Sequence, residues 1–376
     1  MKVGVLGGGQ LGRMMFQETV GLDLDLHFLD RSRHFPVGKV AHNFVEGDFT
    51  NYDDVMEFGK DKDVLTIEIE KVNVEALEQL QEMGKKIHPT PSALRIIQDK
   101  GLQKKFYSDN KLPTSDYTLY KSKEELITAV KNEEVKIPFV QKSRKDGYDG
   151  KGVAVIRNKV DLDLLLPGPC LVEDLVDIKK ELAVIACRNE NNQIVSYDVV
   201  EMVFDQEANL VKFLFSPASV SEKVGKTCKM LAEQLIEKFD ICGLLAVEFF
   251  LTNKDEILIN EVAPRPHNSG HHTLNASICS QFENHIRGVV GFPLGSTGMY
   301  KYGAMVNILG EDGFTGKAKY LGLEDVLNLS DVHVHMYGKE ITKPKRKMGH
   351  VNVLGESRKE IEDKINKINS FFKVIA

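Results

Sequence analysis

"LLAVEFFLTNKDEILINEV" (residues 244–262) holds two apolar, strand-like runs, 244–251 and 256–262, joined by the polar "TNKD". One glutamate interrupts each run, Glu248 in the first and Glu261 in the second. A hairpin turning between Lys254 and Asp255 sets these two directly opposite on one face, with Cβ atoms about 5 Å apart. Like charges placed so repel, and apolar neighbours deny them solvation, unless a cation lies between them. Oxygen-only ligands suit Mg²⁺, above all beside phosphate. Glu248 and Glu261 are therefore the candidate metal ligands; the plain alternative is two exposed glutamates in another register.

An amphipathic helix is expected just upstream, over 226–240, with Leu231, Leu235 and Phe239 on one stripe. Downstream comes "APRPHNSGHH" (263–272). His267 and His271 are spaced as zinc ligands on a helix would be. Position 268 is Asn rather than the Glu of an HExxH site, and Pro264, Pro266 and Gly270 oppose a helix. The loop reads instead as a polar clamp beside the carboxylates.

Further upstream, "KDGYDGKG" (145–152) lies between the strand-like "IPFVQK" (137–142) and "GVAVIR" (152–157). Its glycine amides, with Lys142 and Lys151, suit a polyphosphate; a mobile surface hairpin is the bland alternative. "CLVEDLV" (170–176) is a buried strand that Glu173 interrupts, either facing solvent or binding something such as ribose hydroxyls.

The first 90 residues alternate strand-like runs (2–6, 24–29, 42–46, 63–69, 85–89) with helical patterns (10–20, 51–60, 73–84), which predicts a parallel, doubly wound sheet. Gly7-x-Gly9-x-x-Gly12 opens the first helix and Asp30 ends the next strand, the spacing of a dinucleotide fingerprint. The competing reading is a tight turn whose N–H groups suit any anion, and Arg13 favours it. Glu68 and Glu70 fall at the C-terminal end of a parallel strand, the edge where such sheets bind ligands. "HPTPS" (88–92) punctuates the chain, and Ser92 is expected to cap a helix through about Asn110. These breaks suggest domains at 1–90, 91–190 and 191–376.

Near the C-terminus, "KEITKPKRK" (339–347) carries five basic residues and one acid between the strand-like "VHVHMY" (332–337) and "GHVNVL" (349–354). A basic turn held at both ends suits a fixed dianion. A terminal helix follows, with a capping box from Ser357 to Glu360 and a stripe of Ile361, Ile365, Ile368 and Phe372.

The 376 residues have room for two or three domains. With 49 basic and 55 acidic residues the net charge is −6, which argues against a bulk electrostatic grip on nucleic acid or an anionic membrane. Cys170, Cys187, Cys228, Cys242 and Cys279 are odd in number and form no CxxC, so buried, reduced thiols are expected. The start has no secretory pattern and no apolar run approaches the ~18 residues of a membrane span, so the expected location is cytoplasmic.

Taken together, "GGGQLGRMM" (7–15), "TIEIEKV" (66–72), "DGYDGKG" (146–152), "INEVAPRPHNSGHHT" (259–273), "SQFENHIR" (280–287) and "KRKMGHVNV" (345–353) resemble the ATP-grasp superfamily. Within it they are most similar to the N5-carboxyaminoimidazole ribonucleotide synthases of purine biosynthesis, and the resemblance runs essentially end to end. It implies an N-terminal α/β pre-ATP-grasp domain, a small central lid and a C-terminal α+β domain, with ATP between the last two. ATP contacts are implied at Lys100, Lys142, Gly147, Tyr148, Asp149, Gly150, Lys151, Gly152, Val153, the hinge run Glu173, Asp174, Leu175 and Val176, then Glu181, Phe204, Asn260 and Glu261. Mg²⁺ falls to Glu248 and Glu261. Aminoimidazole ribonucleotide would draw on Glu70, Tyr148, Asp149, Lys151, Arg265, His267, Asn268 and Ser269, with Lys339 and Arg346 on its phosphate.

The implied reaction is carboxylation of that nucleotide by bicarbonate through carboxyphosphate. Arg265 would hold the acid and Asp149 handle the amine proton, assisted by Tyr148 and Lys151. A homodimer is implied as well, with no nucleic-acid or membrane partner. Positions 100 and 151 are Lys where Arg is common in the family, so charge is kept but bidentate hydrogen bonding is not. An NAD-dependent oxidoreductase, a formate-using ATP-grasp ligase and a non-catalytic nucleotide-binding protein are the competing readings.

Overall fold

The computed structural model describes residues 1–145, 147, 152–205 and 210–376, save the side chains of 204–205 and 210–212. The candidate residues Tyr148, Asp149, Gly150 and Lys151, and the side chain of Phe204, lie outside the described residues. Among the described residues, three sheets of four or more strands carry the architecture.

The N-terminal sheet is parallel. In spatial order its strands are Phe44–Glu46, Asp25–Asp30, Lys2–Leu6, Val64–Ile67 and Lys86–Ile87. Helices Gln10–Thr19, Tyr52–Gly59 and Val74–Glu82 alternate with them, as the sequence pattern predicts. Val3, Val5, Phe28, Leu65 and Ile67 are fully buried, the near-continuous apolar runs that a sheet covered on both faces requires.

The expected helix from Ser92 to Asn110 is in fact two helices. Thr90, not Ser92, caps Pro91–Ile97, accepting from the Ala93 amide (3.3 Å). Pro91 follows it in the first turn, where its missing N–H costs nothing. Asp99 then starts a second helix, Lys100–Asp109, by accepting from the Gly101 (2.9 Å) and Leu102 (3.2 Å) amides. The second helix carries Lys100 and Lys104 one turn apart on the same face.

Tyr117–Tyr120, Cys170–Asp174, Phe139–Ser143 and Val153–Ile156 form a small antiparallel sheet. The chain passes from it at Asp174 into Ile178–Arg188 of a nine-stranded antiparallel sheet. In that large sheet Ile178–Arg188 pairs with Gly243–Thr252, which pairs with Ile257–Ala263. Helix Glu222–Lys238 seats Leu231, Leu235 and Ile236 against this side of the sheet, and the terminal helix Arg358–Phe371 seats Ile361, Ile365 and Ile368 at the other. Ser357 caps the latter through the Glu360 amide, while the Glu360 carboxylate accepts from the Glu356 amide.

The Glu248–Glu261 pairing is present, but it arises differently from the expectation. The hairpin turns on Lys254, one position earlier, through a three-residue loop with Asp255 left-handed at φ 58°. Leu251 therefore pairs with Ile257 and Phe249 with Ile259. A bulge at Asn260 then inserts one residue and brings Glu261 opposite Glu248. Because side chains alternate between faces, the unbulged register would set Asn260 opposite Glu248 and turn Glu261 away.

Candidate active site

The site lies where the small sheet meets the large one. From helix Lys100–Asp109, the Lys100 ammonium pairs with Glu261. From strand Phe139–Ser143, Lys142 donates to Asn260 Oδ1 (2.8 Å) and pairs with Glu173 Oε2 (2.6 Å). Asn260 Nδ2 approaches Glu248 Oε2 at 3.5 Å. The bulge thus gathers Glu248, Asn260 and Glu261 with two lysines. A narrow cleft there is lined by Lys100, Gln103, Lys104, Lys142, Leu171, Asn260 and Glu261.

The electrostatics are uneven. Lys100 holds the Glu261 carboxyl well below the usual range, against its burial. Burial, then the neighbouring Glu261 and Glu181, push Glu248 up. Burial also lifts Glu181 to about 7. Desolvated carboxylates crowded this way are short of positive charge, which fits a divalent cation. Among the described residues no cluster of three or more His, Cys, Asp or Glu closes on one point. Two protein carboxylates with phosphate and water oxygens completing the shell is the usual provision for Mg²⁺.

Glu173, read from its strand as either facing solvent or binding something such as ribose hydroxyls, is turned from solvent and held by internal cations. It is 4% exposed, with Lys104 and Ser115 on one oxygen and Lys142 on the other. Burial pushes it up, but the two lysines overcome this and hold it at about 2. Of the loop, Gly147 is half-buried and Gly152 takes a left-handed φ of 80°.

The clamp 263–272 sits against the pair. His267 Nδ1 accepts from the Ser269 amide (3.3 Å), which leaves Nε2 to carry the proton facing Glu248 Oε1 at 3.6 Å. Gln281, first residue of helix Gln281–Val290, grips the His267 backbone at both its N–H (2.9 Å) and C=O (2.8 Å). Gly270 permits this, since a Cβ there would lie 2.5 Å from Gln281 Oε1. His271 is buried and turns to Gln281 Nε2 (3.1 Å), away from Glu248, so the two histidines do not converge. Arg265 reaches across to the N-terminal sheet, pairing with Glu70 (2.8 Å) just beyond strand Val64–Ile67. Asn268 Nδ2 is buried without a hydrogen-bond partner.

The glycine fingerprint is closed by the protein's own acids. Glu68 accepts from the Gly9 (2.5 Å) and Gly12 amides, and Asp30 accepts from Gly8 (2.7 Å). A Cβ on Gly7 would lie 2.3 Å from Glu68 Cγ. The N–H groups that a dinucleotide pyrophosphate would use are taken, which overturns the oxidoreductase reading. Arg13, expected near a phosphate, donates to the Tyr337 carbonyl (3.4 Å), two residues before the basic turn. In that turn Lys339 donates to the Lys347 carbonyl (2.7 Å) and Arg346 to the Ile341 carbonyl (2.5 Å). Lys104, Ser115 and Gln281 were not singled out from the sequence as site residues. Only spacing could have flagged Lys104, at i+4 from Lys100.

A cleft between a small antiparallel lid sheet and a larger one, with lysines on one wall and paired acids on the other, is the ATP-grasp arrangement. Family models agree: the ATP-grasp domain matches residues 105–282, the ribonucleotide synthetase preATP-grasp domain 1–98, and the phosphoribosylaminoimidazole carboxylase C-terminal domain 303–364. The chain is 35% identical to the N5-carboxyaminoimidazole ribonucleotide synthase of Bacillus subtilis, over 97% of this chain and 94% of that one. It superposes on the Thermotoga maritima synthetase with a TM-score of 0.92 at 39% identity, covering 100% and 99% of the two chains. It also superposes on the Aspergillus clavatus synthase in complex with ADP and 5-aminoimidazole ribonucleotide, with a TM-score of 0.87 at 30% identity, covering 98% and 97%. Of the fungal phosphoribosylaminoimidazole carboxylases it also matches, the chain spans less than two thirds of the length. The chain belongs to the N5-carboxyaminoimidazole ribonucleotide synthase family of ATP-grasp ligases. All five cysteines are buried and free, and among the described residues no helix is long and apolar enough to cross a membrane.

Proposed function

We propose that this chain is an ATP-dependent ligase that carboxylates 5-aminoimidazole ribonucleotide with bicarbonate, giving the N5-carboxy nucleotide, ADP and phosphate. The observation that carries the reading is the bulge at Asn260. It gathers acids and lysines suited to a metal triphosphate within reach of a clamp that bridges to the N-terminal sheet. The ADP and aminoimidazole ribonucleotide bound by the Aspergillus clavatus relative support it.

Bicarbonate is a poor electrophile. Its oxygen would attack the γ-phosphorus of ATP, releasing ADP and forming carboxyphosphate. The exocyclic amine would then attack the carbonyl carbon, releasing phosphate and a proton. Lys100 and Lys142 would bind the phosphates, alongside Asn260, Glu181, the hinge run 173–176 and Phe204. Glu248 and Glu261 would hold Mg²⁺, which when bound neutralises charge on the transferring phosphoryl group. Arg265, oriented by Glu70, would hold the bicarbonate or the mixed anhydride. His267, Asn268 and Ser269 would orient the acceptor, and the buried, unpartnered Asn268 amide is a ready donor to it.

Residues 147–153 would cover the phosphates and exclude water from the anhydride, with Asp149 taking the amine proton and Tyr148 and Lys151 touching the acceptor. Lys339 and Arg346 would bind its phosphate. A cytoplasmic homodimer, with domains divided near residues 90 and 190, completes the reading. ADP release measured with each substrate omitted in turn tests it. Turnover should require Mg²⁺ and rise with aminoimidazole ribonucleotide and bicarbonate together. Productive use of formate in place of bicarbonate would assign a different ligase.

A further inference from the structure

Lys104 is 3% exposed, a depth at which a lysine is found only with partners. Its ammonium donates to Thr114 Oγ1 (2.5 Å) and Ser115 Oγ (2.9 Å) and pairs with Glu173. The Ser115 hydroxyl donates in turn to the same Glu173 oxygen (2.9 Å), and the other oxygen belongs to Lys142. Helix Lys100–Asp109, the segment after it and strand Cys170–Asp174 are thereby tied together just where the chain leaves the small sheet for the large one.

The charge count gives this arrangement a purpose. Lys142 with Glu173 alone would be a neutral pair, and a neutral pair attracts a polyanion weakly. With Lys104 on the far side of the carboxylate, the triad carries a net charge of +1. We infer that Lys104 is a positioning residue for the nucleotide. It occupies one side of Glu173, so that the Lys142 ammonium, aimed at Asn260 Oδ1, keeps an uncompensated positive charge for the triphosphate. A purely structural role is a weaker account, because a buried ion network is often no more stable than well-packed apolar residues that replace all of it. Burial pushes the Lys104 ammonium down to about 8 against the pull of Glu173, so the buried cation is maintained at a cost.

The inference rests on the ATP reading above, and its test separates the two. Binding of Mg²⁺–ATP would be measured by calorimetry, with KM for both substrates, in wild type, Lys104→Met, Lys104→Gln and Lys104→Arg. The first two variants make the triad neutral, and Lys104→Gln keeps a hydrogen-bond donor there. Lys104→Arg keeps the charge of +1. We expect both neutral variants to bind ATP at least tenfold more weakly, with KM for aminoimidazole ribonucleotide within twofold of wild type. Lys104→Arg should stay within threefold of wild type. A structural Lys104 predicts instead that affinity follows thermal stability, with Lys104→Gln close to wild type. Undiminished ATP binding by either neutral variant would overturn the inference. If Lys104→Met does not fold, Lys104→Gln decides, a tenfold loss supporting the inference and near-wild-type affinity contradicting it. Failure of the wild type to bind ATP would overturn the ATP reading itself.

Discussion

Glu248 and Glu261 face each other across two strands, yet their surroundings drive them apart. Lys100 holds Glu261 ionised, whereas burial and its neighbour push Glu248 toward the protonated form. The two substitutions should therefore differ when no metal is present. Glu248→Gln removes the group that is hardest to ionise and should leave the metal-free melting temperature unchanged or raised. Glu261→Gln strands the Lys100 ammonium and should cost roughly 1–3 kcal/mol. Both should abolish ATP turnover. Thermal melts with and without Mg²⁺–ATP check this, and equal losses from both variants in metal-free protein would make the pair structural. The facing glutamates were legible because a charged residue within each apolar run stands out against period-two alternation. Their pairing with Lys100 was not, since Lys100 lies 161 residues from Glu261 and meets it only through tertiary packing. Glu68 was read as a ligand-binding group at a strand end, but its partner, the glycine turn, was hidden for the same reason, and there the local motif suggested an external anion that an internal carboxylate replaces.

Among the elements, a single inserted residue decides the site. No propensity announces the bulge at Asn260; the expected register reached Glu261 only because the turn was placed one residue late and the bulge makes up that residue. Helix starts misled in a similar way. Ser92 and Thr90 are both good caps, and Pro91 selects Thr90 by occupying the first helical position. The basic turn was more legible, since strand-like runs on both sides fix its ends. Those strands, Val332–Met336 and Lys347–Gly355, are antiparallel neighbours in the large sheet. Lys339 and Arg346 spend their donors on backbone carbonyls of the turn itself, an arrangement a phosphate dianion can displace. Lys339→Ala and Arg346→Ala should each raise KM for aminoimidazole ribonucleotide tenfold or more, about 1.4 kcal/mol, with KM for ATP within twofold. Equal effects on both substrates, or on neither, would return this turn to the surface.

Across the whole molecule, fold class was readable from alternating patterns at the N-terminus and hairpins beyond it. How the three sheets meet was not, because the joining contacts, Arg265 with Glu70 and Lys142 with Asn260, link segments distant in sequence. That junction should also set the pH response. Glu181 and Glu248 are raised, so the metal-free fold holds protons that the unfolded chain gives up. This stabilisation is complete below the ordinary carboxylate range near 4.5 and is lost as pH climbs through about 7. A metal triphosphate must displace those protons. Its stabilising effect should therefore grow between pH 6 and pH 8, by about tenfold in apparent affinity for each proton released. Melts across that range check it, and Glu181→Gln should flatten the trend. The central claim, that the cleft activates bicarbonate with ATP for attack by an amine, is tested most directly by isotope transfer. With ¹⁸O-labelled bicarbonate, ATP and aminoimidazole ribonucleotide, each turnover should place one bicarbonate oxygen in the released phosphate and the remaining label in the N5-carboxylate. ADP formation with unlabelled phosphate would contradict the account.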